Sequence, residues 1–172
     1  MSDRRLILGI DTSCDETSAA VVADGSEILS NVVSSQMDVH ERFGGIVPEL
    51  ASRRHTEVIT RIIDRALTDA GVALGDVHAV AVTNRPGLIG ALLVGVEAAK
   101  ALAFTQGIRI IPVHHIEGHV YANSMVHDVP FPHLCLTVSG GHTMLVHVRE
   151  GWEYELVGAT LDDAVGEAYD KV

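Results

Sequence analysis

Two histidines, His115 and His119, stand four residues apart, a spacing that on a helix puts both imidazoles on one face, where they can grip one divalent metal ion. With ten histidines in 172 residues, about half of one such pair arises by chance, so on spacing alone a solvated or core pair is the default reading. Location shifts the balance. The pair follows a β-type run at residues 108–114, and the carboxyl ends of strands are where sites collect in α/β lobes. His114 reads as a strand-end residue. Glu117 points elsewhere on the helix, as a residue behind the ligands or as nothing. In His115-Ile116-Glu117-Gly118-His119 it is displaced by one position from the H-E-x-x-H arrangement, which weakens a metallopeptidase reading.

A second kind of chemistry resides in two polar turns. Asp11-Thr12-Ser13-Cys14-Asp15-Glu16-Thr17 and Ser139-Gly140-Gly141-His142-Thr143 are rich in Gly, Ser and Thr, residues that offer backbone N–H groups to an anion without obstruction. The Ser-Gly-Gly string taken alone is an ordinary hairpin turn. Asp11 can orient a metal-bound water or a phosphate, or simply close an Asx turn. Cys14 has no histidine near it in sequence and reads as a small buried residue rather than a nucleophile. Asp162, Asp163, Glu167 and Asp170 suit the start of a helix, through its dipole.

The elements that must hold these residues are legible from periodicity. Residues 6–10, 18–23 and 28–34 are β-type runs separated by polar turns and read as an antiparallel meander. Residues 47–70 carry apolar side chains at three- and four-residue steps, with Pro48 in the first turn and Gly71 just past the end, so one long amphipathic helix is expected. A strand at 79–83, an apolar helix at 88–106, a strand at 108–114 and a helix at 116–126 complete the order βββαβαβα. After Val129-Pro130-Phe131-Pro132 the opening pattern returns at 134–138, 144–148 and 154–157. Leu136 matches Leu8 and Gly151 matches Gly25, a repeat of roughly 125 to 130 residues. The expected organisation is a first lobe at 1–128 and an incomplete second lobe at 129–172, ending in helical spacing at 162–172. Lobes that open with a meander and continue with helix-flanked strands follow the α/β plan of the actin, hexokinase and Hsp70 superfamily, where such turns hold phosphates.

With 47% apolar residues the chain can bury a core, and two cysteines imply no disulfide framework, which fits a reducing cytoplasm. The N-terminus lacks a signal-peptide core, and residues 88–104, interrupted by Glu97 and Lys100, suit a buried helix better than a membrane span. A net charge of −11 argues against a chain that grips nucleic acid unaided.

Six strings taken together are far more specific than any one. Gly9-Ile10-Asp11-Thr12-Ser13-Cys14-Asp15-Glu16-Thr17, Gly45-Ile46-Val47-Pro48-Glu49-Leu50-Ala51-Ser52-Arg53, Pro86-Gly87-Leu88-Ile89-Gly90, His114-His115-Ile116-Glu117-Gly118-His119, Val138-Ser139-Gly140-Gly141-His142-Thr143 and Asp162-Asp163-Ala164-Val165-Gly166-Glu167-Ala168-Tyr169-Asp170-Lys171 resemble, in order, the TsaD family. The resemblance implies an enzyme that transfers the threonylcarbamoyl group of threonylcarbamoyl-AMP to N6 of adenosine 37 in tRNAs reading codons that begin with A. It implies His115 and His119 as metal ligands, with iron (Fe2+) the favoured ion and zinc (Zn2+) the alternative. Val138, Ser139, Gly140, Gly141 and His142 would line the adenylate, Asp170 would contact its nucleoside, and Asp11 joins the substrate-binding set. TsaB-like and TsaE-like subunits are the implied partners, through the first-lobe helices, and no membrane is involved. Family members are about twice as long, and their third ligand, an Asp, would lie beyond Val172, so this chain is expected to be inactive alone. Paralogues of the TsaB type lack the histidine pair, and a non-catalytic partner of that type is the competing expectation. One departure is Asn84-Arg85-Pro86-Gly87, where the family more often has Gly-Pro-Gly.

Overall fold

The structure, a computed structural model, describes residues 4–170 and 172, without the Asp170 side chain. Packing divides the chain into two compact units, Met1–His115 and Ile116–Val172.

In the first unit, β1 (Leu6–Asp11), β2 (Glu16–Ala23) and β3 (Glu27–Ser35) form the expected meander, antiparallel throughout. β4 (Ala79–Arg85) and β5 (Arg109–His114) add in parallel, giving the order β3-β2-β1-β4-β5. Parallel neighbours require crossovers, supplied by α2 (Pro48–Ala70) and α3 (Ile89–Gln106). Strand alternation sends Leu8 and Ile10 of β1, Val21 of β2 and Val80 and Val82 of β4 into one core with Ile59, Ile63 and Ala66 of α2. Helix α2 ends where expected, on Gly71 at φ 67°, whose N–H caps the carbonyls of Leu67 and Thr68. Helix α3 buries a stripe of small residues, Ala91, Gly95, Ala99 and Ala103. By length and composition α3 could cross a membrane, yet here it is a packing element against the sheet and α2. Between β3 and α2 lie a short helix the sequence pattern did not reveal, α1 (Met37–His40), and a 3-10 turn at Glu41–Phe43. Both are too short for an apolar period to repeat, so periodicity cannot detect them.

The second unit holds α4 (His115–Val126) from Ile116 onward, the antiparallel sheet β6 (His133–Val138), β7 (Thr143–Arg149) and β8 (Glu153–Ala159), and α5 (Val165–Asp170). Val120 of α4 packs with Val146 and Val148 of β7, and the Tyr121 ring lies 4.7 Å from that of Trp152. The sequence places the lobe boundary at the Pro-containing linker, whereas packing places α4 with the second meander because Val120 finds its partners there. The two positions that the sequence matches differ in environment: Leu8 is fully buried, while Leu136 is 64% exposed. Helix α5 begins at Val165, later than the spacing from residue 162 suggested. Thr160 Oγ1 donates to the Asp163 carbonyl at 2.9 Å and commits that stretch to a turn.

Candidate functional site

Asp11 ends β1, beside the end of β4 and near the end of β5, so strand order alone brings three carboxyl termini together. Its Oδ1 accepts from the Ser13 N–H at 2.7 Å, closing the Asx turn that the sequence allowed. Its Oδ2 accepts from Thr83 Oγ1 at 2.7 Å and from His115 Nδ1 at 3.0 Å. Ser13 Oγ lies 3.2 Å from the same nitrogen. Burial by itself would push the Asp11 carboxyl up; the bonds from His115, Thr83 and Ser13 outweigh it and hold the group down at about 2. Asp11 is therefore an acceptor, which places the hydrogen of a neutral His115 on Nδ1 and the lone pair on Nε2. A carboxylate taking one ring N–H while the other nitrogen keeps its lone pair is the arrangement that orients a metal-ligating histidine. These residues fit a metal on that ground. Beneath them lies a cleft of about 260 Å³, lined among others by Gly9, Asp11, Ser18 and Thr83.

The turn after Asp11 is locked from below. Thr12 is fully buried, and its Oγ1 donates to the Ala91 carbonyl at 2.7 Å while accepting from the Gly95 N–H at 3.1 Å. Those two groups are ordinarily each other's helical partners, so the hydroxyl bridges one rung of the α3 ladder. Gly95 permits it: a Cβ there would stand 2.5 Å from Thr12 Oγ1. The departing loop at Asn84-Arg85-Pro86-Gly87 acquires a role in the same way. Leu88 N–H donates to the Ser13 carbonyl at 2.8 Å, and a Cβ on Gly87 would stand 2.5 Å from that oxygen. Cys14 is half-buried, and burial with the neighbouring Asp15 pushes its thiol up to about 11, which removes it as a nucleophile, as the sequence suggested.

In the second unit, Ser139 and His142 close a tight turn. Ser139 N–H donates to the His142 carbonyl at 2.8 Å, and Ser139 Oγ accepts from the His142 N–H at 3.1 Å. Val138, at the end of β6, is half-exposed. Thr143 Oγ1 accepts from the Val165 N–H at 2.9 Å, and Gly166 approaches so closely that a Cβ would lie 2.7 Å from the Ser139 carbonyl. The expected adenylate residues Val138, Ser139, Gly140, Gly141 and His142 thus form one braced turn. The Asp170 side chain lies outside what the structure describes. His119 follows His115 by one turn on α4. Among the described residues no group of three or more His, Cys, Asp or Glu is arranged to hold a metal. His114 Nδ1 is buried without a hydrogen-bond partner among them.

Sequence reasoning did not find Thr83 or Gly95, and gave Thr12 and Gly166 no role of their own within the strings that contain them. Each acts through tertiary neighbours; only the glycines inside helices left a trace, as residues that cost helix stability and so need a packing reason.

A family model described as TsaD, tRNA N6-adenosine threonylcarbamoyltransferase, matches residues 27–172. A protein of that name from Halalkalibacterium halodurans is 60% identical over 172 residues, covering 100% of this chain and 50% of the relative. One from Bacillus subtilis is 60% identical over 166 residues, 96% of this chain and 48% of the relative. The chain spans about half the length of the curated relatives it matches. Among solved structures, a Pseudomonas aeruginosa protein with similarity to the peptidase YeaZ superposes with TM-score 0.59 at 18% identity, covering 90% of this chain and 64% of the other. Component A of the Acidaminococcus fermentans (R)-2-hydroxyglutaryl-CoA dehydratase superposes with TM-score 0.53 at 18% identity, covering 92% and 48%. These likenesses show the fold, that of the actin, hexokinase and Hsp70 superfamily.

Proposed function

The chain belongs to the TsaD family, and on that premise we propose that the protein transfers the threonylcarbamoyl group from threonylcarbamoyl-AMP to N6 of adenosine 37 in tRNA, acting in the cytoplasm. The N6 amine adds to the carbamoyl carbon, the carbon–oxygen bond to phosphate breaks, AMP leaves as the phosphate anion and the amine's proton passes to solvent water. The observation that carries the reading is the Asp11–His115 contact at 3.0 Å, which presets one imidazole as a ligand within a family-matching chain. His115 and His119 would hold a divalent ion, with Fe2+ favoured and Zn2+ as the alternative. When bound, that ion supplies Lewis acidity toward carbonyl or phosphate oxygens.

The other roles fall to this chain's own residues. Ser139, Gly140, Gly141 and His142, in a turn held by Gly166, would cradle the adenylate with backbone N–H groups, Val138 flanking them and Asp170 meeting the nucleoside. Asp11 orients His115. The formal charge of −11 assigns the grip on tRNA to the remainder of the protein or to partner subunits. A TsaB-like subunit would dock on the first-lobe helices, where Ile89, Leu93 and Phe104 of α3 are exposed, and a TsaE-like subunit would complete the assembly.

The test uses the intact protein with both histidines replaced, His115→Ala and His119→Ala. Loss of bound metal and of transfer to tRNA, with the fold retained, is expected. Metal held at wild-type stoichiometry would overturn the ligand assignment.

A further inference from the structure

Under the Asp11 turn lies a fully enclosed polar chain that the proposed reaction does not use. Its members are Thr17 and His55, each 0% exposed, Gln36 at 1% and His40 at 4%. Both of its ends are backbone groups of fixed polarity. At one end the Val47 N–H, which can only donate, meets His40 Nδ1 at 3.3 Å. Neutral His40 must then carry its hydrogen on Nε2, which gives it to Gln36 Oε1 at 3.2 Å. The Gln36 amide nitrogen, left as donor, lies 3.3 Å from His55 Nδ1. At the other end the Cys14 carbonyl, which can only accept, lies 3.0 Å from His55 Nε2. In the neutral ring that end independently requires Nε2–H and an accepting Nδ1, to which the Thr17 hydroxyl at 2.8 Å can donate. The two ends impose the same direction on every link.

We infer that His55 is a positioning residue for the Asp11–Thr17 turn, tying it through one directional chain of hydrogen bonds to the segment that leads into α2. The neighbouring carbonyls show what it completes: Ser13 O accepts from Leu88 N–H at 2.8 Å and Asp15 O from Gln36 N–H at 3.0 Å. Three successive carbonyls of the turn are thus held by three different elements, and His55 holds the middle one. A second proton on His55 would leave Nδ1 with a hydrogen facing the Gln36 amide donor and would force the Thr17 hydroxyl to turn and accept it. The charged and titratable groups around it are Asp11 and Asp15 on the turn, with Cys14, and His40 from α1; burial outweighs them and favours the neutral ring. The inference rests on the reading of the Asp11 turn as part of the site.

The experiment measures amide hydrogen exchange across residues 11–17 in the intact protein without substrate, between pH 5 and 8, corrected for intrinsic rates. His55→Leu fills the space without either hydrogen bond, and protection should fall at least tenfold at every pH. His55→Gln keeps a donor and an acceptor yet cannot be protonated. It should restore protection and abolish the decline that the wild type shows as pH falls below the ordinary imidazole range. Nitrogen-15 spectra of the wild type at pH 8 should show His55 protonated on Nε2 only. Wild-type protection in His55→Leu, or His55→Gln titrating like the wild type, overturns the inference whatever the transfer assay gives.

Discussion

His115 Nδ1 donates to Asp11 Oδ2 across 3.0 Å, joining two residues 104 positions apart in the chain. The bond selects the His115 tautomer and fixes the ring, while Thr83 and the Ser13 N–H hold the carboxylate from other sides.

Replacing Asp11 by Asn turns an acceptor that faces an N–H into a group with a donor of its own. Metal affinity of the intact protein should fall by roughly 10- to 100-fold, the usual cost of losing such a supporting carboxylate. Titration with Fe2+ or Zn2+ under a competing chelator checks this; an unchanged dissociation constant would show that Asp11 does not orient the ligand.

The same carboxylate should be visible in the acid limb of stability. Its value when folded, about 2, lies below the ordinary 3.8. The stabilisation is therefore complete above about pH 4 and lost as pH falls toward 2, because the unfolded chain takes up the proton first. The size is on the order of 2 kcal/mol. Urea unfolding at several pH values should show this slope in the wild type and its reduction in Asp11→Asn.

Two glycines in helices should respond to alanine with opposite signs. Gly118 has nothing within 4 Å of a would-be Cβ, so Gly118→Ala should stabilise by about 1 kcal/mol through helix propensity. Gly95→Ala gains the same propensity but drives a methyl into Thr12 Oγ1, and should destabilise by about 1–3 kcal/mol. Thermal unfolding of the two variants side by side gives the comparison.

Gly166→Ala tests the brace under the second turn. Its Cβ would meet backbone atoms, the Ser139 carbonyl and the Gly140 nitrogen, neither of which can rotate aside. Calorimetry on the intact protein should show weaker binding of a non-hydrolysable adenylate analogue, by tenfold or more, with metal content unchanged.

Partner docking is addressed by Leu93→Glu combined with Phe104→Glu. These side chains are 54% and 89% exposed, so the monomer should keep its stability while assembly with a TsaB-like subunit is lost. Heterodimer formation at wild-type strength in size-exclusion chromatography would place the interface elsewhere.

Periodicity and turn chemistry in the sequence were enough for both meanders, the helices α2, α3 and α4 and the glycine that ends α2, because each of these is encoded in residues close together along the chain. The histidine spacing and the two polar turns were visible for the same reason. What sequence could not supply was any relation that depends on strand order. The parallel pairing of β1 with β4 and β4 with β5 carries Asp11, Thr83 and His115 to one place, and nothing local in residues 11, 83 or 115 announces it. The same holds for Thr12 bridging a rung of the α3 ladder and for His55, which reads along the chain as one more residue of an amphipathic helix. Only in three dimensions does it face the Cys14 carbonyl. The grouping of α4 with the second meander likewise appears only in packing, where Val120 meets Val146 and Val148.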